Sequence, residues 1–282
     1  MKISIITVSY NAGSTIGDTL ASVKAQTWDE YEHIIIDGAS TDGTARLLAE
    51  HAGARTIIVS EPDGGIFDAM NKGARLASGD LIGFLNADDF YTRVNSLALL
   101  ADAALRNPRA AAVGGAVALV HPVHTQRIRR YYRSAGFRPW MLQYGHMPPH
   151  PGFYVRRDAM RQVGEFDLAI RTGGDFEWMV RFFHVHKLAL AALSETLVGF
   201  RLGGNSSSGF QSLRNINREA LASCRRWGLP SSTHAVWAKY LVKSAQFLDR
   251  PSDFPLAPPM GWAPRCGAGD CRASQATVGD LH

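Results

Sequence analysis

Four short apolar runs, each closed by a knot of polar residues, most constrain what this 282-residue chain can fold into. Lys2 to Ser9, His33 to Ile36, Thr56 to Ser60 and Leu81 to Leu85 read as strands. Between them lie stretches of helical period. In Ser14 to Gln26 the apolar Ile16, Leu20 and Val23 fall four and three residues apart, and Thr41 to His51 and Asp68 to Ala77 continue the alternation. Turn and cap residues from Gly38 to Asp42 open the second helix. Strands alternating with helices predict an α/β fold, a mostly parallel twisted sheet with helices on both faces. Ligands bind such sheets beyond the carboxyl ends of the strands. The polar residues fall there: Ser9-Tyr10-Asn11, Asp37-Gly38, Glu61-Pro62-Asp63 and Asn86-Ala87-Asp88-Asp89.

The second half is less regular. Ala111 to Val120 and Thr196 to Arg201 read as strands; Gly174 to Phe183, Phe210 to Trp227 and Thr233 to Leu248 read as helices. We expect residues 1–110 to form a binding half and residues 111–250 an acceptor half with C-terminal helices in the same domain. The Pro/Gly-rich stretch 251–282 has no period and is expected to be disordered. With 46% hydrophobic residues a core is within reach, and the three cysteines, odd in number and badly spaced for zinc, suggest neither a disulfide framework nor a metal cluster. No run of 18 apolar residues occurs and the N-terminus carries no cleavable leader, so we expect a cytoplasmic protein. The net charge of +5 is mild, and no nucleic-acid-binding motif accompanies it.

Two adjacent carboxylates at the end of a buried strand, Asp88 and Asp89, repel one another and lose hydration unless a cation or hydrogen-bond donors compensate. A divalent metal (Mg or Mn) clamped to a diphosphate would do so; a helix cap in a solvated loop is the alternative. Read with its neighbours, the motif gains meaning. Ile5 to Asn11, Ile34 to Thr44, Ser60 to Gly73 and Gly79 to Asp89 together resemble glycosyltransferase family 2, inverting enzymes of the GT-A fold, in the branch found in bacterial exopolysaccharide (colanic-acid-type) biosynthesis.

That resemblance implies roles. The loop after the first strand, with Thr7, Ser9 and Tyr10, would line the base and ribose pocket of a nucleotide-sugar donor. Asp37 would accept a hydrogen bond from a base N–H, or close an Asx-turn, or both. Asp63 lies where the family approaches the nucleotide, while Asp68 and Asn71 either bind or brace the next helix. Asn86 would touch ribose, and Asp88 would hold the metal with Asp89 beside it in support. In Gly173-Gly174-Asp175-Phe176-Glu177, Asp175 matches the family's general base; Glu177 is its rival and a helix cap the plainer role. His150 would touch the acceptor or the phosphates, or be structural. Arg201, followed by Leu202-Gly203-Gly204, resembles a flexible segment that closes over the diphosphate. The Gln-x-x-Arg-Trp motif of polymerising members is absent.

The expected reaction is a single displacement from a UDP-sugar onto a saccharide or lipid-linked saccharide hydroxyl. The stretch Arg127, Arg129, Arg130, Arg133 offers contact to an anionic membrane or a lipid diphosphate, or is a solvated face. The rival functions are a sugar-nucleotide pyrophosphorylase and a basic nucleic-acid-binding protein.

Overall fold

The structure, a computed structural model, describes residues 1–51, 53–203 and 209–237. The first half runs β1 (Ile3–Ser9), α1 (Ile16–Lys24), β2 (Tyr31–Asp37), α2 (Thr44–His51), β3 (Thr56–Ser60), α3 (Ile66–Leu76) and β4 (Leu81–Phe84). Then come β5 (Phe90–Tyr91), α4 (Ser96–Arg106), β6 (Ala112–Val120), β7 (Ile128–Tyr132), β8 (Phe153–Arg156), α5 (Arg157–Val163), α6 (Gly174–Val180), β9 (Leu190–Arg201) and α7 (Gly209–Arg226).

One sheet carries all the strands in the order β3-β2-β1-β4-β8-β6-β9-β5, with β7 paired to β6. From β3 to β4 every pairing is parallel, as the strand and helix alternation predicts. Beyond β4 the sheet is mixed: β8 is antiparallel to β4 and β6, whereas β6 and β9 run parallel.

Successive side chains of a strand point to opposite faces, and β1 distributes its apolar residues accordingly. Ile6 and Val8 enter a cluster with Phe67 and Met70 of α3 and Phe176 and Trp178 of α6. Ile3 and Ile5 pack on the other face with Leu97 and Leu100 of α4. On that same side Ile35 of β2 meets Ile16 and Leu20 of α1 and Leu47 and Leu48 of α2. Helices therefore cover both faces. The cover thins at the edge strand β3, where Ile57 and Ile58 are exposed.

The observed elements extend the sequence reading in several places. β9 begins at Leu190, six residues before the expected Thr196, because its early half pairs with β6 from Ala112 to Gly114. β5, β7, β8, α4 and α5 had no counterpart in it. Of the helix expected over Thr233 to Leu248, Thr233 to Trp237 is helical and the rest lies outside the described residues, as does 251–282. No described helix is long and apolar enough to cross a membrane.

Candidate active site

The loops after β1 and β2 are built against each other. Asn11 donates its N–H to Ser40 Oγ at 2.8 Å and accepts Thr41 N–H on Oδ1 at 2.9 Å. Gly13 N–H reaches Asp42 and Ala12 N–H reaches Thr44 Oγ1, both at 2.9 Å. Asn11 and Ala39 hold φ of 49° and 59°, left-handed backbone that these bonds sustain. Asp37 is fully buried and accepts from Ser40 N–H at 3.0 Å and Ser60 Oγ at 2.8 Å, so its carboxylate closes the turn.

Gly38 lies under Asp63 and Tyr10. A Cβ there would stand 2.7 Å from Asp63 Oδ2 and 3.3 Å from the Tyr10 ring, so no larger residue fits without displacing one of them. Asp63 also accepts Gly65 N–H at 2.8 Å. Tyr10 is 68% exposed, an open aromatic face beside a half-buried carboxylate.

Thr7 departs from expectation. It is fully buried, and its hydroxyl pairs with His33 Nε2 at 2.8 Å across β1 and β2, so it braces the sheet and does not line a pocket. Ser9, two residues on, is buried and its Oγ has no hydrogen-bond partner among the described residues.

Past β4, Asn86 Oδ1 and Asp89 Oδ2 are likewise buried without partners. Among the described residues, then, three buried oxygens at the ends of β1 and β4 have no hydrogen-bond donor. Asp89 is fully covered, and burial together with the neighbouring Asp88 pushes it well above the usual carboxylate range. Asp88 is half-buried and raised by burial, with Arg201 opposing. A divalent cation suits this donor set, since it would relieve both carboxylates and satisfy orphaned oxygens. Among the described residues no three His, Cys, Asp or Glu side chains converge. A metal at Asp88 would therefore complete its shell from phosphate oxygens and water, as Mg²⁺ usually does.

Arg201 stands at this site. It is the last residue of β9 and 8% exposed; it pairs with Asp18 of α1 and lies 5.5 Å over the Phe90 ring. Its N–H faces Asp89 Oδ1 at 3.4 Å. Strand pairing with β6 reaches Arg201 opposite Val120, and residues 204–208 of the segment expected to close over the diphosphate lie outside the described residues. Nothing local flags Asp18, whose partner is 183 residues away.

The second half brings Asp175 and His150 up to the same region. His150 is buried, stacked on Phe84 at 5.3 Å and set edge-on to Phe166 at 6.1 Å. Phe84 ends β4, two residues before Asn86. Burial lowers the imidazole pKa, so the ring is neutral at pH 7, although Asp175 pulls the other way. Asp175, half-buried in the first turn of α6, is raised by burial and lowered by His150. Its Oδ1 also takes Phe176 N–H at 2.8 Å. Gly174 permits this approach, because a Cβ there would meet the Phe67 ring of α3 at 2.7 Å.

Glu177 is not a rival base. It is 1% exposed and gripped by Arg181 at 2.9 Å and by Trp227 Nε1 at 2.7 Å, which locks α6 to the end of α7. Asn71 braces, with both amide atoms on the backbone of Phe166 at 2.9 and 3.0 Å, and Asp68 accepts Gly64 N–H at 2.9 Å.

The model of the family described as Glycosyl transferase family 2 matches residues 4–164. A PGL/p-HBAD biosynthesis glycosyltransferase of Mycobacterium tuberculosis is 30% identical over 183 residues, 64% of this chain and 69% of that protein. The putative teichuronic acid biosynthesis glycosyltransferase TuaG of Bacillus subtilis is 38% identical over 94 residues, 32% of this chain and 37% of TuaG. Among solved structures, S. aureus TarS 1-349 in complex with UDP-GlcNAc superposes with a TM-score of 0.61 at 16% identity, over 86% of this chain and 72% of that one. The mannosyltransferase PcManGT from Pyrobaculum calidifontis, in complex with GDP-Man and Mn2+, gives 0.58 at 17%, over 88% and 72%. Against the longer TarS structure the match spans only 44% of that chain. At such identities the structures speak for the fold alone, a GT-A-type α/β architecture. The family match extends over all four polar strand ends, and on that ground the chain belongs to glycosyltransferase family 2 and is a glycosyltransferase.

Proposed function

We propose that the chain transfers a sugar from a nucleotide diphosphate, UDP before GDP, to a hydroxyl of a saccharide or lipid-linked saccharide, with inversion. Family membership takes the place of the pyrophosphorylase and nucleic-acid readings. The observation that carries the proposal is the meeting of two chemistries across the Phe84–His150 stack. Orphaned oxygens and an acidic pair lie at the ends of β1 and β4, and a carboxylate of raised pKa opens α6.

In this reading Tyr10 and Asp63 take the base, Ser9 and Asn86 the ribose, and Asp88 holds a divalent ion with Asp89 beneath. Such an ion supplies positive charge against the departing diphosphate. Asp37 shapes the loop that Gly38 and Asp63 share. Arg201 sets the position of Asp89 from the opposite strand. Asp175 takes the acceptor proton as the hydroxyl oxygen bonds the anomeric carbon and the bond to the diphosphate breaks, so the configuration inverts. A buried carboxylate with raised pKa is a stronger base than a solvated one. Neutral His150 beside it orients the acceptor. The exposed Arg127, Arg129 and Arg133 support peripheral contact with an anionic membrane.

The test is thermal unfolding with UDP, GDP or CMP, each with and without Mn²⁺, on wild type and Asp88→Ala. A ligand at 100 times its dissociation constant adds about 2.7 kcal/mol. A metal-dependent shift with UDP that Asp88→Ala abolishes is expected; no shift with any nucleotide would overturn the donor assignment.

A further inference from the structure

Two oppositely charged groups meet at the end of β9 without bonding through their side chains. Arg201 Nε and Asp89 Oδ2 are both buried, and neither has a hydrogen-bond partner among the described residues. The two residues are neighbours nonetheless. Arg201 N–H faces Asp89 Oδ1 at 3.4 Å, and the guanidinium lies 5.5 Å over the ring of Phe90, the next residue. Phe90 in turn pairs with Gly199, two residues before Arg201. A carboxylate beside an arginine ordinarily takes charge-assisted hydrogen bonds from it. Here the guanidinium goes to Asp18 of α1 instead, in a pair whose side chains are 9% and 14% exposed.

The helix that carries Asp18 holds the acidic segment by other means as well. Thr19 donates its hydroxyl to Asp89 O at 2.7 Å, and Ser22 Oγ accepts Tyr91 N–H at 3.1 Å. Gln26, just past α1, donates to Arg93 O at 2.8 Å and accepts Leu97 N–H at 3.0 Å. Thr19, Ser22 and Gln26 stand three and four residues apart on one buried face. They fix the backbone around Asp89. The Asp18 carboxylate has a different object: it holds a side chain, and that side chain is a cation next to Asp89.

We propose that Asp18 is a positioning residue for the divalent ion, which holds the Arg201 guanidinium toward α1 and so leaves Asp88 and Asp89 to the metal. The inference rests on the reading of that acidic pair as the metal's site. An arginine released from Asp18 would be a buried charge without its partner, a costly state with a carboxylate close by. Pairing with Asp89 would satisfy both orphaned atoms and cancel negative charge that attracts the ion. Arginine and metal then compete for the same carboxylate, and Asp18 decides the competition through Arg201.

The experiment is calorimetric titration of Mn²⁺ into the full chain with UDP in excess, against a blank of Mn²⁺ into UDP alone. Wild type, Asp18→Ala and the double variant Asp18→Ala, Arg201→Met are compared at a temperature where all are folded. We expect Asp18→Ala to bind Mn²⁺ about tenfold or more weakly, the scale of a lost outer contact at a metal site. The double variant should recover most of that loss, because the competing cation is gone. A pair that only braces the fold gives the reverse pattern, with the double variant no better than the single one. That result overturns the proposal, and so does equal affinity in wild type and Asp18→Ala. If Asp18→Ala does not fold, Asp18→Asn, alone and with Arg201→Met, carries the same comparison. If none of these variants folds, the pair is scaffold and the proposal falls. A wild type that takes up no Mn²⁺ with UDP fails the metal reading itself, and the inference with it; a wild type that binds while Asp18→Ala binds equally fails the inference alone.

Discussion

Asp175 and Glu177 sit two residues apart in one helix and have opposite fates. Glu177 finds Arg181 and Trp227 and becomes part of the scaffold. Among the described residues Asp175 has no cation paired to it; His150, Glu219 and the Phe176 N–H act on it, and burial raises its pKa. A carboxylate whose folded pKa is raised binds protons more readily folded than unfolded, so it weakens the fold as pH rises through that pKa. Near pH 7 its ionised form therefore costs stability, as expected of a group retained for chemistry. Asp175→Asn should lower turnover by about 10²- to 10⁴-fold, the usual worth of a positioned base. It should leave the nucleotide-induced thermal shift intact and the melting temperature no lower than wild type. A variant with near-normal turnover would remove Asp175 from the mechanism; one with a lower melting temperature would give it a structural role.

At the scale of elements, the site depends on how closely α6 approaches α3 and α7. Gly174 lets α6 rest on the Phe67 ring, where a Cβ would stand at 2.7 Å. Glu177 ties the same helix to Arg181 and Trp227. Truncating Glu177 strands a nearly buried guanidinium, so Glu177→Ala should cost about 3–5 kcal/mol, the penalty for breaking a buried pair. Gly174→Ala should cost about 1–3 kcal/mol from overpacking, and lower turnover as well by displacing Asp175. Urea titrations on both variants, with turnover measured alongside, check this; equal stability in Glu177→Ala would contradict the locking role. The difference between these elements and the first half is one of range. The polar ends of β1, β2, β3 and β4 were legible because period and turn chemistry act within a few residues. The locking of Glu177, the hydroxyl pairing of Thr7 with His33 and the anchoring of Arg201 by Asp18 were not. Each depends on a partner remote in sequence, and each turned an expected site residue into scaffold or fixed its place. β8 escaped notice for the same reason: Phe153–Arg156 is four residues of no distinctive period, made a strand by β4 and β6 on either side.

For the molecule as a whole, the seam between β1 and β2 makes folding sensitive to acid. His33 is fully buried against Thr7, and burial lowers its pKa from 6.5 to about 3. The unfolded chain takes up that proton and the folded chain does not, so stability falls as pH drops from 6.5 towards about 3. Neighbouring Glu32 follows a second window. Burial alone would raise it, but hydrogen bonds from Lys2, Ser4 and Ser78 more than reverse that, from 4.5 to about 2. Its contribution is complete above 4.5 and is lost as pH falls towards 2. Asp88, Asp89 and Asp175, all raised, act with the opposite sign, so the wild-type profile is a sum. The difference between wild type and His33→Gln isolates the histidine, since glutamine can still hydrogen-bond Thr7 and does not titrate. Above pH 6.5 that difference should be constant; below it, wild type should lose ground to the variant by up to about 1.4 kcal/mol per pH unit. Urea midpoints of both proteins at pH 7.5, 6, 5 and 4 measure it. Parallel profiles across that range would mean that His33 is protonated in the fold, and that the β1–β2 seam admits a charge the packing described here excludes.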